Sequence, residues 1–203
     1  PAPTAQQLQN VQVSLARSGG GAASVFSQPS RLGADATFKT GTYPAGNYTV
    51  SVAGIPGGWM LKSVTVGGRD ATVVGFELGD TDLGDVVVTM TDRVSSIAGT
   101  VLAVGNQPLP NTTVVMIPAD YRTWLSNGAP VRGQVLSGAQ TSGAFNLPRV
   151  SPGDYLLAAV PDESLAVDHD AAFYDALARV ATRVTVAEGE KKSIDLRLVG
   201  VVR

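Results

Sequence analysis

One spacing occurs twice, and it constrains the fold more than any other feature of the chain. Phe38 is followed eight residues later by Gly46 and ten later by Tyr48; Phe145 is followed eight later by Gly153 and ten later by Tyr155. A proline stands shortly before each glycine, Pro44 in the first copy and Pro152 in the second. Proline fixes φ near −65° and glycine accepts positive φ, so this segment reverses the chain at little steric cost. A strand with an inward Phe then turns into a hairpin partner with an inward Tyr. Phe38, Tyr48, Phe145 and Tyr155 are therefore read as core aromatics. Further along, Val64-Thr65-Val66 matches Val184-Thr185-Val186, and each copy closes on an apolar strand, Val86 to Met90 or Ile194 to Leu198.

The surrounding pattern agrees with a duplicated β protein. Val11, Val13 and Leu15 alternate, which places one face of a strand inward. Strand patterns recur at Ala36–Phe38, Tyr48–Val52, Leu61–Val66 and Val73–Leu78, and again at Ile97–Val101, Thr112–Ile117, Gln134–Leu136 and Tyr155–Val160. The 23 glycines and 12 prolines punctuate these short runs, as turns do in an all-β chain. A length of 203 residues accommodates two modules of about 100 residues each, a common domain size. The restart of the pattern near residues 91–96 sets the expected boundary, with one module at 1–93 and the other at 94–203. One helix is predicted, from Asp168 or Asp170 to about Arg179. An aspartate can cap its N-terminus, and Phe173, Leu177 and Val180 share a face.

The second copy carries a family resemblance. It reads Ser96-Ile-Ala-Gly-Thr-Val-Leu, Gln107-Pro-Leu-Pro-Asn, Val114-Val-Met-Ile-Pro, Gly143-Ala-Phe-Asn-Leu, Ser151-Pro-Gly-Asp-Tyr-Leu-Leu-Ala-Ala and Val184-Thr-Val-Ala-Glu-Gly. This resembles the carboxypeptidase-regulatory-like (transthyretin-like, or prealbumin-like) domain of exported bacterial proteins, over about residues 94–199. The resemblance implies an all-β fold of two tandem transthyretin-like (Ig-like) β-sandwich modules, with one short helix in the second. It implies no catalytic centre and no cofactor. The first copy lacks the Gly-x-Val opening strand, since the chain starts close to its second strand. Either residues 1–8 substitute for that strand or another chain does, because an unfilled place leaves backbone groups and core uncovered.

Composition removes several functions. Hydrophobic residues make up 44% and charged residues 16%, so the chain can bury a core and does not read as disordered. The net charge is −2, with no basic stripe to neutralise phosphates, which argues against nucleic-acid binding. No apolar run approaches the roughly 18 residues that span a bilayer, so membrane insertion is not expected. Cysteine is absent, which removes disulfides and thiolate sites. The Thr-, Ser-, Asn- and Gly-rich composition favours an extracellular, cell-surface or periplasmic location.

Chemistry-bearing residues are few. His169, the single histidine, lies in Asp168-His169-Asp170 without a nucleophile elbow anywhere in the chain, and it reads as a helix-entry residue. Asp80, Asp82 and Asp85 offer three carboxylates in six residues, a weak Ca²⁺ candidate, although a solvated turn explains them as well. Trp59, Tyr121 and Trp124 are ligand candidates: exposed rings would stack on sugars, and buried ones would anchor loops. The expected function is a non-catalytic structural or interaction module whose partners are neighbouring domains or copies of itself, joined by strand addition into a multimer or filament. The alternative is a carbohydrate-binding module.

Overall fold

The computed structural model describes residues 2–18, 29–33, 35–126, 135–138, 142–162 and 171–199. The fold is all-β, built as sandwiches. By internal contacts the chain divides into two compact units, Pro1–Val94 with Thr123–Val131 and Ser95–Arg122 with Arg132–Arg203.

Unit 1 opens with α1 (Ala5–Leu8), where Thr4 and Gln7 form a capping box that satisfies amides at the helix start. Its strands are β1 (Gln12–Arg17), β2 (Ser30–Arg31), β3 (Gly46–Ala53), β4 (Met60–Val66), β5 (Arg69–Asp70), β6 (Phe76–Leu78) and β7 (Val86–Thr91). They form two sheets, ordered β2-β1-β3-β6 and β5-β4-β7. The alternation in β1 does what it predicts. Val11, Val13 and Leu15 are buried, and they pack with Tyr48, Val50 and Val52 of β3. Val64 from the second sheet completes the core, with Leu61, Val66, Val86, Val88 and Met90 packed around it.

Unit 2 comprises β8 (Ser96–Leu102), β9 (Thr112–Pro118), β10 (Val135–Gly138), β11 (Ala144–Pro148), β12 (Gly153–Pro161), β13 (Thr182–Val186), β14 (Lys191–Ser193) and β15 (Leu196–Arg197). One sheet runs β10-β9-β12-β13. The other runs β11-β8-β14, with β15 continuing along β8. β8 is antiparallel to β11 and parallel to β14 and β15. Ile97, Val101, Phe145, Leu147, Tyr155, Leu157 and Leu196 meet in the core between the sheets. β9 is buried along its whole length and β12 along most of it, so their apolar runs are continuous instead of alternating. Helix α3 (Ala171–Val180) packs on β12 and buries Phe173, Tyr174 and Leu177. A further helix, α2, spans Tyr121–Ser126.

Several expectations change. The Phe and Tyr of each repeat do not sit on hairpin partners. Phe145 lies on β11, which pairs with β8, whereas Tyr155 lies on β12, between β9 and β13. The Pro-Gly segment carries the chain from one sheet to the other, and the two rings enter one core from opposite sheets. In the first copy, residues 37–44 carry no ladder pairing and Phe38 is half-buried against the core, so no strand forms at Ala36–Phe38. Val64–Val66 and Val184–Val186 are not equivalent: β4 pairs with β7, while β13 pairs with β12. The strand in unit 1 that pairs with β3 as β13 pairs with β12 is β6. Three short helices form instead of one, because α1 and α2 arise where the sequence reads as loop. Residues 2–8 supply no substitute strand, since 5–8 are helical.

Candidate functional site

The repeated turn shares two features in both units, the conformation of its glycine and one hydrogen bond of its tyrosine. Gly46 and Gly153 adopt φ of +153° and +156°, values that L side chains rarely take. Two residues on, the Tyr48 hydroxyl donates to the Pro44 carbonyl at 2.8 Å, and the Tyr155 hydroxyl donates to the Ser151 carbonyl at 2.8 Å. Each buried phenol thereby satisfies its own hydroxyl with backbone four residues earlier, as a tyrosine corner does.

With the turns aligned, the units differ at one place. β1, β2, β3 and β6 correspond in sheet order to β9, β10, β12 and β13. The Phe38 segment precedes β3 as β11 precedes β12, and β7 follows β6 as β14 and β15 follow β13. In unit 2, β8 fills the space between β11 and β14–β15. Unit 1 has no strand there among the described residues. β4 runs along β7, but β7 is the last strand of its sheet. Unit 1 also holds a groove of about 730 Å³, walled by residues 38–45 on one side and by 78–84 on the other, which Val86 alone of β7 reaches. Leu15 and Phe76 also line it. Tyr43, on the first wall, meets Tyr48 edge-on at 5.7 Å between ring centroids.

The candidate residues fall in different places. Asp80 and Asp82 are exposed and line the groove, with Lys39 on the facing wall. Asp85 is exposed beside them but does not line it. Among the described residues, no group of three carboxylate or imidazole side chains is placed to hold a metal ion. Asp168, His169 and Asp170 lie outside the described residues. Trp124 is only 1% exposed, which removes it as a stacking platform, because a sugar needs a free ring face. Trp59 and Tyr121 are half-buried.

Tyr121 is tied down. Its hydroxyl donates to Asp175 at 2.6 Å, Arg122 reaches the same carboxylate at 3.4 Å, and the guanidinium lies 5.7 Å from the Tyr121 ring centroid. The shared bond holds the Asp175 carboxyl below its ordinary range and raises the Tyr121 hydroxyl. The arrangement secures the start of α2 to α3. The groove itself escapes a motif search because its walls come from residues far apart in sequence. The one signal that pointed to it was the missing Gly-x-Val strand.

No family model matches the chain. No curated protein matches it either. Similar solved structures include the minor pilin of Streptococcus agalactiae, at 12% identity and a TM-score of 0.36, over 93% of this chain and 82% of that one. The major pilin subunit BcpA of Bacillus cereus is 12% identical with a TM-score of 0.34, over 79% and 41%. A candidate carbohydrate-binding protein of Pseudomonas aeruginosa is 14% identical with a TM-score of 0.33, over 51% and 87%. At these values the likeness carries no functional argument. Among the described residues, no helix is long and apolar enough to cross a membrane.

Proposed function

We propose that the chain is a non-catalytic structural and interaction module of an extracellular bacterial protein or assembly, carboxypeptidase-regulatory-like in kind, with its modules meeting at residues 93–94. Unit 1 takes up a β-strand that its described residues do not supply. One observation carries this reading: two units with the same turn and the same four-strand sheet order differ in that β8 fills one sandwich and an open groove stands in the other. An edge strand and an uncovered core favour pairing with a further strand, since both main-chain hydrogen bonds and apolar burial are gained.

Hydrogen exchange on the intact chain tests it. A synthetic peptide spanning Arg93–Ala103, which contains β8, is added in excess. Amides of residues 37–44 and of Val86–Thr91 are expected to slow about tenfold or more, while those of unit 2 stay unchanged. Unaltered exchange at both walls at millimolar peptide would rule out strand uptake.

A further inference from the structure

We infer that unit 2 is built to bear tension along the chain: the strand by which the chain enters it and the strand by which the chain leaves it are locked in parallel, so a pull loads their ladder in shear. The property concerns unit 2 alone and does not depend on strand uptake by unit 1.

Strand direction decides the response to a pull. β8 is the first strand of unit 2 and β15 the last described one. β8 pairs in parallel with β14 and β15, with Ser96 opposite Lys191 and Val101 opposite Leu196. In a parallel pair like ends lie side by side. The N-terminal end of β8 and the C-terminal end of β15 therefore stand at opposite ends of the ladder. Tension draws the two strands along their own axes in opposite directions, and the bonds between them must yield together. An antiparallel pair of terminal strands would bring both pulled ends to one place and open bond by bond.

The ladder continues across the break between β14 and β15. The Ser96 amide donates to the Glu190 carbonyl at 2.9 Å, the Ile194 amide to the Ala98 carbonyl at 2.9 Å, and the Leu198 amide to the Leu102 carbonyl at 3.3 Å. At the break, the Ile194 carbonyl lies against Gly99, where a Cβ would collide with its oxygen. There the Thr100 amide donates to the Asp195 carboxylate at 3.0 Å. Asp195 thereby supplies a rung from its side chain.

Both ends of the ladder are anchored to more than one element. Ser95, through which the chain enters, is wholly buried. Its hydroxyl donates to the Ala187 carbonyl at 3.1 Å and accepts from the Gly189 amide at 2.9 Å, while its carbonyl accepts from the Val150 amide at 3.2 Å. At the other end, Leu198 is bonded to β8, and the Val199 amide donates to the Ala159 carbonyl of β12 at 2.9 Å, so the exit is tied to both sheets. Unit 1 offers no such ladder among its described residues, since its first and last strands, β1 and β7, belong to different sheets.

Force spectroscopy on the intact chain tests this, with handles on engineered cysteines, which are unique because the chain has none. One pair, Asp92→Cys with a cysteine appended after Arg203, pulls in shear. The other, Asp92→Cys with Ala187→Cys, pulls on two exposed positions at the Ser96 end and peels the strands apart. Peeling is expected below about half the shear force at the same loading rate, because its bonds yield singly and forced unfolding reports the barrier of the route taken. Asp195→Ala should raise the unfolding rate in shear about fivefold, the loss of one net hydrogen bond. It should leave peeling unchanged, because peeling starts at Ser96. Asp195→Asn keeps an acceptor oxygen and should restore most of the shear resistance. Equal forces in the two geometries would overturn the inference. So would an Asp195→Ala effect of the same size in both, which marks plain destabilisation of unit 2. Neither result would touch the strand-uptake reading.

Discussion

Unit 2 is closed and unit 1 is open, although both are built from the same turn and the same four-strand sheet order. In unit 2, β8 lies between β11 and β14–β15, and Ile97 and Val101 are wholly buried. In unit 1 the Phe38 segment joins no described strand by a ladder, its nearest described strand contact being the Ser30 hydroxyl of β2 on the Lys39 carbonyl at 2.6 Å; β7 ends its sheet, and Val86, Val88 and Met90 remain only half-buried. Removing one central strand from such a sandwich leaves the opposite sheet intact. The four strands around β3 hold each other by their own ladders and by Val11, Val13, Tyr48 and Val50. What is lost is the cover on one side of the core and the pairing of two flanking segments. β4 pairs along β7 and brings the fully buried Val64 into this core.

The sharpest way to break this comparison is to truncate the matched phenylalanines. Phe145→Ala should destabilise unit 2 by about 3–5 kcal/mol, the usual range for a buried aromatic. Phe38→Ala should cost unit 1 less than half of that, because its ring already borders solvent. Denaturant unfolding of both variants checks it, and equal losses would mean that the groove is not open in solution. Next in size is an alkaline effect confined to unit 2. Burial pushes the Tyr174 hydroxyl from its ordinary value of 10.0 to about 12, so the fold favours the neutral phenol. The unfolded chain ionises first, and stability present below pH 10 is lost as the pH rises towards 12. The loss amounts to about 2–3 kcal/mol at 1.36 kcal/mol per pH unit. Unfolding followed between pH 9 and 12 should show this decline, and Tyr174→Phe should remove most of it, leaving the contribution of the Tyr121 hydroxyl, which its bond to Asp175 also raises.

The smallest effect sharpens the likeness instead of the difference. Tyr48→Phe and Tyr155→Phe each remove one hydroxyl-to-carbonyl bond of 2.8 Å and should each cost about 1 kcal/mol. A cost at one site only would show that the repeated turn is not energetically equivalent in the two units. Thermal unfolding of the paired variants measures it.

Much of the architecture was legible because it is local. The alternation of Val11, Val13 and Leu15 fixes the inward face of β1 whatever that strand pairs with. Pro44-Ala45-Gly46 and Pro152-Gly153 announce a reversal, and the tyrosines two residues on belong to the core for reasons contained within five residues. The absence of a Gly-x-Val strand from the first copy was equally plain. The sites were less legible. Trp59 and Trp124 look alike as loop-flanking tryptophans, yet only Trp124 is buried, and nothing near either residue predicts that. Val64-Thr65-Val66 and Val184-Thr185-Val186 look equivalent, yet they join different partners.

By itself, then, the sequence determined the strand pattern, the duplicated turn and the residues able to enter a core. These depend on φ preferences and on a period of two, which neighbouring residues set. Tertiary structure alone decided that Phe145 and Tyr155 approach from opposite sheets, that β4 flanks β7, and that the missing strand leaves a lined groove and not a collapsed core. Each of those outcomes depends on which distant strand wins a ladder of hydrogen bonds. That competition is settled by burial summed over the whole sandwich, and no short stretch of sequence records it.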